Sequence, residues 1–281
     1  MTDFQIPRFP LGDYIDNGLE WLNRAISQET SATADFVNSL VMSIVDFLTF
    51  FPPVVLMLLI TALAFWIKRS VKFSIFTFLG LYLLYNFNLW EPTMQTLALV
   101  VISTLVAISL GMPLGVLAAL SKHAKSAIWP VLDFMQTLPP FVYLIPAIPF
   151  FGLGYTSAMF STVIFAMPPA IRMTTLGIEQ VPSELSEAAD SFGSTRMQKL
   201  IKLQLPLAAP SIRAGINQTI LLSLSMVVIA AMIGAKGLGG RVWEAIQRLE
   251  PGKGFEAGIG IVIVAIILDR LVGHVKKKQA A

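Results

Sequence analysis

The sequence predicts an all-α membrane protein with about seven transmembrane helices, and three observations support this prediction. Hydrophobic residues make up 55% of the 281 residues and charged residues only 13%, whereas an ordinary soluble chain has about 25% charged residues. Long charge-free stretches recur along the chain, and lysine and arginine concentrate in alternate connections. A soluble fold would lack the polar residues needed to cover its surface, so this composition excludes a soluble globular domain.

The charge-free stretches locate the spans, because a charged side chain inside lipid is costly and a span needs about 20 apolar residues. The stretch between Glu91 and Lys122 holds one span. The stretch between Asp133 and Arg172 is long enough for two, and a glycine-containing break after residue 151 divides it. The predicted spans cover residues 51–67, 72–90, 93–120, 128–151, 156–178, 208–233 and 256–274.

The basic residues predict the orientation of these spans. Seven spans alternate sides, which places fourteen lysines and arginines on one side and six on the other. Because short cytoplasmic connections carry the excess of Lys and Arg, the richer side is expected to be cytoplasmic. The N-terminus is then outside and the C-terminus inside.

The first 50 residues lack the apolar core of a signal peptide and carry two apolar stripes at helical spacing. We expect two amphipathic helices on the outer membrane surface. The alternative is that they pack on another, soluble subunit. The two stripes are Ile15, Leu19, Leu22 and Ile26, and then Phe36, Leu40, Ile44, Phe47 and Phe51.

The residue types argue against most catalytic and metal chemistry. The chain has no cysteine and two histidines, so thiolate clusters and histidine metal sites are not expected. It has no GxxxxGK[ST] pattern, and the glycines from 234 to 240 lack the spacing of a dinucleotide site. Asp133 and Asp269 lie near span ends, where a local ion pair or snorkelling is a simpler explanation than a functional site.

Proline indicates broken helices. The fourth span contains Pro139, Pro140, Pro146 and Pro149. Each proline removes an amide donor, and the freed carbonyls need partners at membrane depth, as beside a pathway. We therefore expect a cavity or pathway near the break, although the kinks could serve packing alone. Its candidate residues are Gln136, Thr137, Pro139, Pro140 and Tyr143.

The longest cytoplasmic stretch is amphipathic. It predicts a helix with Ser183 as N-cap and an apolar face that includes Leu185 and Phe192, ended by Gly193. A second short helix follows at 195–203, before Pro206 and the sixth span. The apolar face of such a helix needs a binding surface on another protein, unless the helix lies on lipid headgroups.

At these residues the chain resembles the EAA loop of ABC importer permeases. The family pattern is EAA, three residues, Gly, nine residues, Ile, one residue and Leu-Pro. This chain has Glu187, Ala188, Ala189, Gly193 and Pro206 in those places, with Leu203 for the usual isoleucine. The strings at 135–154, 167–178 and 233–270, with the N-terminal extension, resemble the glycine betaine/proline betaine (quaternary amine) branch.

The resemblance implies a type I importer permease that is not an enzyme. Two permease copies form a homodimer, and two ATPase subunits, which bind ATP and Mg, dock on the EAA loops. A separate extracytoplasmic binding protein delivers the solute, and neither a cofactor in this chain nor a nucleic-acid partner is expected. Glu187, Ala188, Ala189, Gly193 and Pro206 become the ATPase-coupling residues.

The resulting organisation is that of a multi-pass protein of a bacterial inner membrane, in contact with its lipid. An extracytoplasmic amphipathic segment covers 1–50, two accessory spans 51–90, and the five-helix importer core 91–275. The coupling loop is 179–208, and a basic cytoplasmic tail covers 276–281.

The outer loop at 234–255 carries a predicted short helix. We expect Arg241, Trp243, Glu244 and Arg248 to help close the outer gate and contact the binding protein.

Three alternative functions are open. One is a permease for choline, carnitine or taurine. Another is an ion-coupled secondary transporter, which would need buried charges and repeats, and the third is an intramembrane enzyme, which would need paired acids or histidines.

Overall fold

The computed structural model describes residues 10–273, so the predicted basic tail lies outside the described residues. Within this range the chain is helical, without a strand. The twelve α-helices are α1 Leu11–Phe50, α2 Pro53–Lys68, α3 Val71–Asn86, α4 Trp90–Leu120, α5 Lys122–Thr137, α6 Leu144–Phe151, α7 Tyr155–Glu179, α8 Ser183–Ser191, α9 Arg196–Lys199, α10 Leu205–Ile229, α11 Leu238–Gln247 and α12 Pro251–Val272. The all-α fold predicted from the sequence is confirmed.

Six of the seven predicted spans each overlap one helix, the span at 128–151 is divided between α5 and α6, and not every helix has the length and composition of a simple span. In residues 10–273, three helical stretches are long and apolar enough to cross a membrane, namely Gly12–Phe50, Trp90–Leu120 and Arg196–Ile233. The pair Lys122–Thr137 and Pro140–Phe151 qualifies only together and is bent by 111°. α2 and α3 are shorter apolar helices.

The N-terminal segment differs from the prediction in its packing. It is helical over residues 11–50, and non-helical backbone at Ile26 divides it into two helical parts at a kink. Its second half packs on the core through Val37, Val41 and Val45. Phe36 and Phe47 of the predicted stripe are exposed, because the packed face is rotated from the stripe that contains the largest side chains.

The core is built around α7, which lies between α4 and α10. Glycines allow the close approach on both sides. A Cβ on Gly115 of α4 would lie 2.7 Å from the carbonyl oxygen of Ile171, and one on Gly215 of α10 would lie 3.0 Å from that of Pro169. Gly111, one turn earlier on α4, makes a similar close contact, since a Cβ there would lie 3.0 Å from the Cβ of Ala170.

Alanine at Gly115 should destabilise the fold, because its methyl group would meet the Ile171 carbonyl and Thr174. Overpacking of this kind costs about 1–3 kcal/mol. Gly258 in α12 is the matched control, since a Cβ there has open space and alanine favours a helix. Thermal unfolding in detergent should show a lower midpoint for Gly115→Ala and no loss for Gly258→Ala; equal midpoints would contradict this packing.

Contacts between helix ends agree with the predicted sidedness. On the side expected to be cytoplasmic, Lys68 donates to the carbonyl of Gly273, and Lys125 lies 2.7 Å from Glu179. On the opposite side, the Gly154 amide donates to the carbonyl of Ile233 at 3.0 Å. Connections assigned to one side thus contact one another.

Candidate functional site

The predicted coupling loop forms two short helices joined at Gly193. α8 begins at Ser183, and its N-cap is Pro182 without a side-chain hydrogen bond. The prediction that Ser183 is the N-cap is therefore wrong by one position, because Pro182 already has the extended backbone that precedes the helix.

Gly193 ends α8 in a left-handed conformation, with φ +74°. The Gly193 amide donates to the Asp190 carbonyl at 2.9 Å, and the Ser194 amide donates to the Ala189 carbonyl at 3.0 Å. This pair of bonds is the Schellman motif, in which glycine is favoured because it has no Cβ. The turn predicted at Gly193 is present.

Two further interactions hold α9, one at its own start and one to α8. Thr195 and Gln198 form a reciprocal capping box at the start of α9. Lys199 then reaches back to Asp190, with its Nζ 2.8 Å from both carboxylate oxygens. The loop therefore has a defined shape before any partner binds.

The surface of this loop is apolar at its tip. Glu187 and Ala188 are exposed and Ala189 is half-buried. Phe192 is 91% exposed, and Leu185 and Met197 are also exposed. An aromatic side chain in this position leaves a large apolar area in water, as protein interaction surfaces do.

The loop is joined rigidly to the membrane core. Residues 200–204 form one π-helical turn, in which the Leu205 amide donates to the Leu200 carbonyl. Pro206 follows directly after this turn, inside the continuous helical stretch, and because proline has no amide to donate, one backbone hydrogen bond is missing there. A helical stretch from Arg196 to Ile233 thus connects the loop to the outer side.

The predicted pathway break lies between α5 and α6. Leu138 and Pro139 are extended, and a short 3₁₀ turn starts at Pro140. Gln136, Thr137 and Pro139 are exposed. The single span predicted at 128–151 is therefore two helices at a sharp angle, because successive prolines cannot donate backbone hydrogen bonds.

Tyr143 lies apart from the exposed residues of the break. It is buried, its hydroxyl donates to the carbonyl of Met135, and its ring meets Phe165 edge-on at 5.8 Å. In this conformation its hydroxyl satisfies a carbonyl at the end of α5. These contacts give Tyr143 a structural role at the end of α5, and its predicted pathway contact stays a prediction.

The ion pair predicted as one explanation for the two acidic residues is present for Asp133, whereas Asp269 accepts a hydrogen bond from an amide. Arg172 forms an ion pair with Asp133, and Asn217 donates to Asp269. Both partners lie on neighbouring helices. No group of acidic residues and histidines able to hold a metal ion occurs between residues 10 and 273.

The predicted outer-loop residues lie on or next to α11. Glu244 is central, with Arg241 at 3.1 Å and Arg248 at 2.8 Å. Beyond them, the hydrogen bond from Lys253 holds the pKa of Glu250 below its usual range. The structure therefore brings these charges together as a mixed-charge surface on the side predicted to be outside.

A cleft of about 410 Å³ lies between α11, the start of α4 and the loop at 234–237, which we call the glycine loop. We call it the outer cleft, and its polar and aromatic lining consists of Glu91, Gln95, Lys236, Arg241, Trp243 and Glu244. The first three were not predicted as site residues. The sequence could have indicated Glu91 and Gln95 as neighbours, since they lie one helical turn apart. It could not have indicated Lys236, because only the tertiary fold brings this residue close to them.

Comparison with known proteins places the chain among transport-system membrane components. Residues 111–280 match the family described as binding-protein-dependent transport system inner membrane component. The chain is 47% identical to the glycine betaine transport system permease protein OpuAB of Bacillus subtilis over 275 residues, covering 98% of this chain and 97% of that protein.

A second relative and a solved structure agree. The glycine betaine/carnitine transport permease protein GbuB of Listeria monocytogenes is 49% identical over 280 residues, covering 97% of this chain and 98% of that protein. An inward-facing structure of the MetNI methionine ABC transporter matches with a TM-score of 0.55 and 21% identity, over 64% of this chain and 93% of that chain. This last likeness concerns the fold alone.

Proposed function

This chain belongs to the family of binding-protein-dependent transport system inner membrane components, and we propose that it is the permease subunit of an ATP-driven importer for glycine betaine or a related quaternary amine. The observation that carries the proposal is the exposed, preformed loop around Gly193. The names of the relatives OpuAB and GbuB supply the substrate class.

The coupling loop is the proposed docking site for the ATPase, which binds ATP and Mg. Glu187, Ala188 and Ala189 lie on α8, and the small alanines allow a partner to approach closely. Gly193 sets the turn, and Pro206 starts the helix that carries movement of the loop into the membrane. The hydrogen bonds at Gly193 and the ion pair between Lys199 and Asp190 support this role, because a loop without such contacts would not transmit a displacement.

The proposed assembly is a homodimer of permeases with two ATPase subunits and a separate binding protein in a bacterial inner membrane. We place the C-terminus in the cytoplasm and the N-terminal segment outside as far as the second half of α1, which packs on the core. The outside placement is supported by Thr156 at the outer end of α7, whose hydroxyl donates to the carbonyl of Ala34 at 3.1 Å. α1 enters the core beyond this point, so its first half points outward.

The domain division follows from this placement. We propose residues 51–90 as accessory spans, 91–275 as the importer core and 179–208 as its coupling loop. The substrate pathway is proposed to pass the break at Pro139–Pro140, where Gln136 and Thr137 offer polar groups.

The decisive experiment measures ATP hydrolysis by the reconstituted permease–ATPase complex with its binding protein. We expect stimulation by glycine betaine and weaker or no stimulation by choline and taurine. A complex that responds to none of a panel of quaternary amines would contradict the substrate class. A permease that transports without any ATPase would contradict the whole proposal.

The surface around Glu244 is the proposed contact for the binding protein. Reversal of Arg248 to glutamate would place two like charges where the pair now lies at 2.8 Å. Because exposed interface charges act mainly on association rate and salt dependence, Arg248→Glu should raise the binding-protein concentration needed for half-maximal ATPase stimulation. Arg24→Glu, another exposed arginine on the proposed outer side, is the control. An unchanged titration for Arg248→Glu would count against this contact.

A further inference from the structure

We propose that the outer cleft is a weak receiving site for the zwitterionic solute, occupied after the binding protein releases it and before it enters the membrane. This inference rests on the proposed function and adds a site in the permease itself. With about 410 Å³, the cleft lies in the size range of small-molecule sites, roughly 300–1,000 Å³.

The cleft is preformed, because its glycine loop is fixed to α4. The Leu238 amide donates to Thr96 Oγ1 at 2.8 Å. Gly237 has φ +134°, and a Cβ there would lie 2.5 Å from the same hydroxyl oxygen. The loop therefore sits directly on α4, and the positions of Lys236 and Trp243 relative to α4 follow from this contact.

The charges of the lining balance one another. Two carboxylates, Glu91 and Glu244, face two cations, Lys236 and Arg241. Glu244 is paired with Arg241 at 3.1 Å and also with Arg248, which lies outside the cleft lining, at 2.8 Å. Glu91 accepts a hydrogen bond from Gln95 at 3.0 Å, and no ion pair of the described residues involves Glu91 or Lys236. One negative and one positive group are thus left for a ligand.

A quaternary amine with a carboxylate fits this pattern. Its ammonium carries methyl groups and cannot donate a hydrogen bond, so the ring face of Trp243 and the charge of Glu91 suit it. Its carboxylate suits Lys236, a compact charge with three donors. A simple cation would leave Lys236 unmatched, and a simple anion would leave Glu91 unmatched.

The site should bind weakly. Lys236 and Arg241 are exposed, and screened charges in water contribute little to affinity. Weak binding suits an intermediate station, because a solute held tightly there would be released slowly into the pathway.

Saturation-transfer NMR tests the site directly. The permease–ATPase complex in nanodiscs, without binding protein, is mixed with millimolar glycine betaine, and transfer to the N-methyl protons is measured. We expect transfer from the wild type, and at least a threefold smaller signal from Trp243→Leu and from Lys236→Gln. Lys236→Gln alters an exposed side chain and should fold normally. Trp66→Leu, which makes the same change at a tryptophan 75% exposed on α2, should match the wild type.

Two results would overturn the inference. One is the absence of transfer from the wild type; the other is equal transfer from the wild type, Trp243→Leu and Lys236→Gln. Equal transfer together with lost stimulation by the binding protein would identify the cleft as a protein-docking surface instead. The proposed function has its own readout, solute-stimulated ATPase activity, so either inference can fail while the other stands.

Discussion

Replacing Gly193 by valine should reduce solute uptake roughly tenfold or more, while the permease still inserts into the membrane. Gly193 has φ +74°, a conformation that strains a β-branched residue by about 1–3 kcal/mol. Space is not the obstacle, since a Cβ there meets nothing within 4 Å. The expected loss therefore comes from the backbone alone.

The mechanism of this loss is a change in the end of α8. Relief of the strain would break the bonds from Gly193 to Asp190 and from Ser194 to Ala189. α8 would then meet α9 at another angle, and the ATPase would face an altered surface. Uptake into proteoliposomes and the amount of ATPase that co-purifies are the two measurements.

Asparagine at the same position provides the control. Asn tolerates the left-handed conformation better than other residues with a side chain, so Gly193→Asn should retain most of the uptake. Normal uptake by Gly193→Val would remove the role assigned to this turn. Equal losses in the two variants would show that the added side chain, and not the backbone, is responsible.

The helical core was predictable from charge and hydropathy because both patterns are local. Charged residues mark both ends of α4, a glycine-containing break precedes α7, and the turn at Gly193 follows from glycine itself. The kink in the fourth span was also predictable, because a proline removes a backbone hydrogen bond whatever packs around it. Its size, a bend of 111°, was not, because it depends on what packs against both halves.

The remaining features depend on contacts between distant segments. Nothing near Val41 distinguishes it from Leu40, yet the core buries Val41 and leaves Leu40 exposed. Tyr143 looks like a polar pathway residue until Met135 is seen as the acceptor of its hydroxyl. The outer cleft combines Glu91 with residues of the glycine loop nearly 150 positions later, a combination that no local pattern specifies.

Replacing Phe192 by serine should detach the ATPase from the permease. Phe192 is 91% exposed at the end of α8, and Asp190 and Lys199 hold the loop in shape beside it at 2.8 Å. An aromatic side chain that fills a partner's pocket is typical of interface hot spots, which contribute about 2 kcal/mol or more. That corresponds to roughly a 30-fold weaker complex.

The high exposure of Phe192 distinguishes a role in docking the ATPase from a role in folding of the permease. A side chain with so few contacts in the permease contributes little to its stability, so Phe192→Ser should leave the unfolding temperature of the isolated permease unchanged. The matched control is Phe255→Ser, the same change at a residue 75% exposed on the first turn of α12, on the proposed outer side.

Affinity of the purified ATPase for permease in nanodiscs separates the possible results. A large loss for Phe192→Ser with none for Phe255→Ser would identify Phe192 as the main apolar anchor of the coupling loop. Wild-type affinity in both variants would mean that docking depends on the backbone and the small residues Ala188 and Ala189. The loop would then act by shape, and only the variants of Gly193 would uncouple transport from ATP hydrolysis.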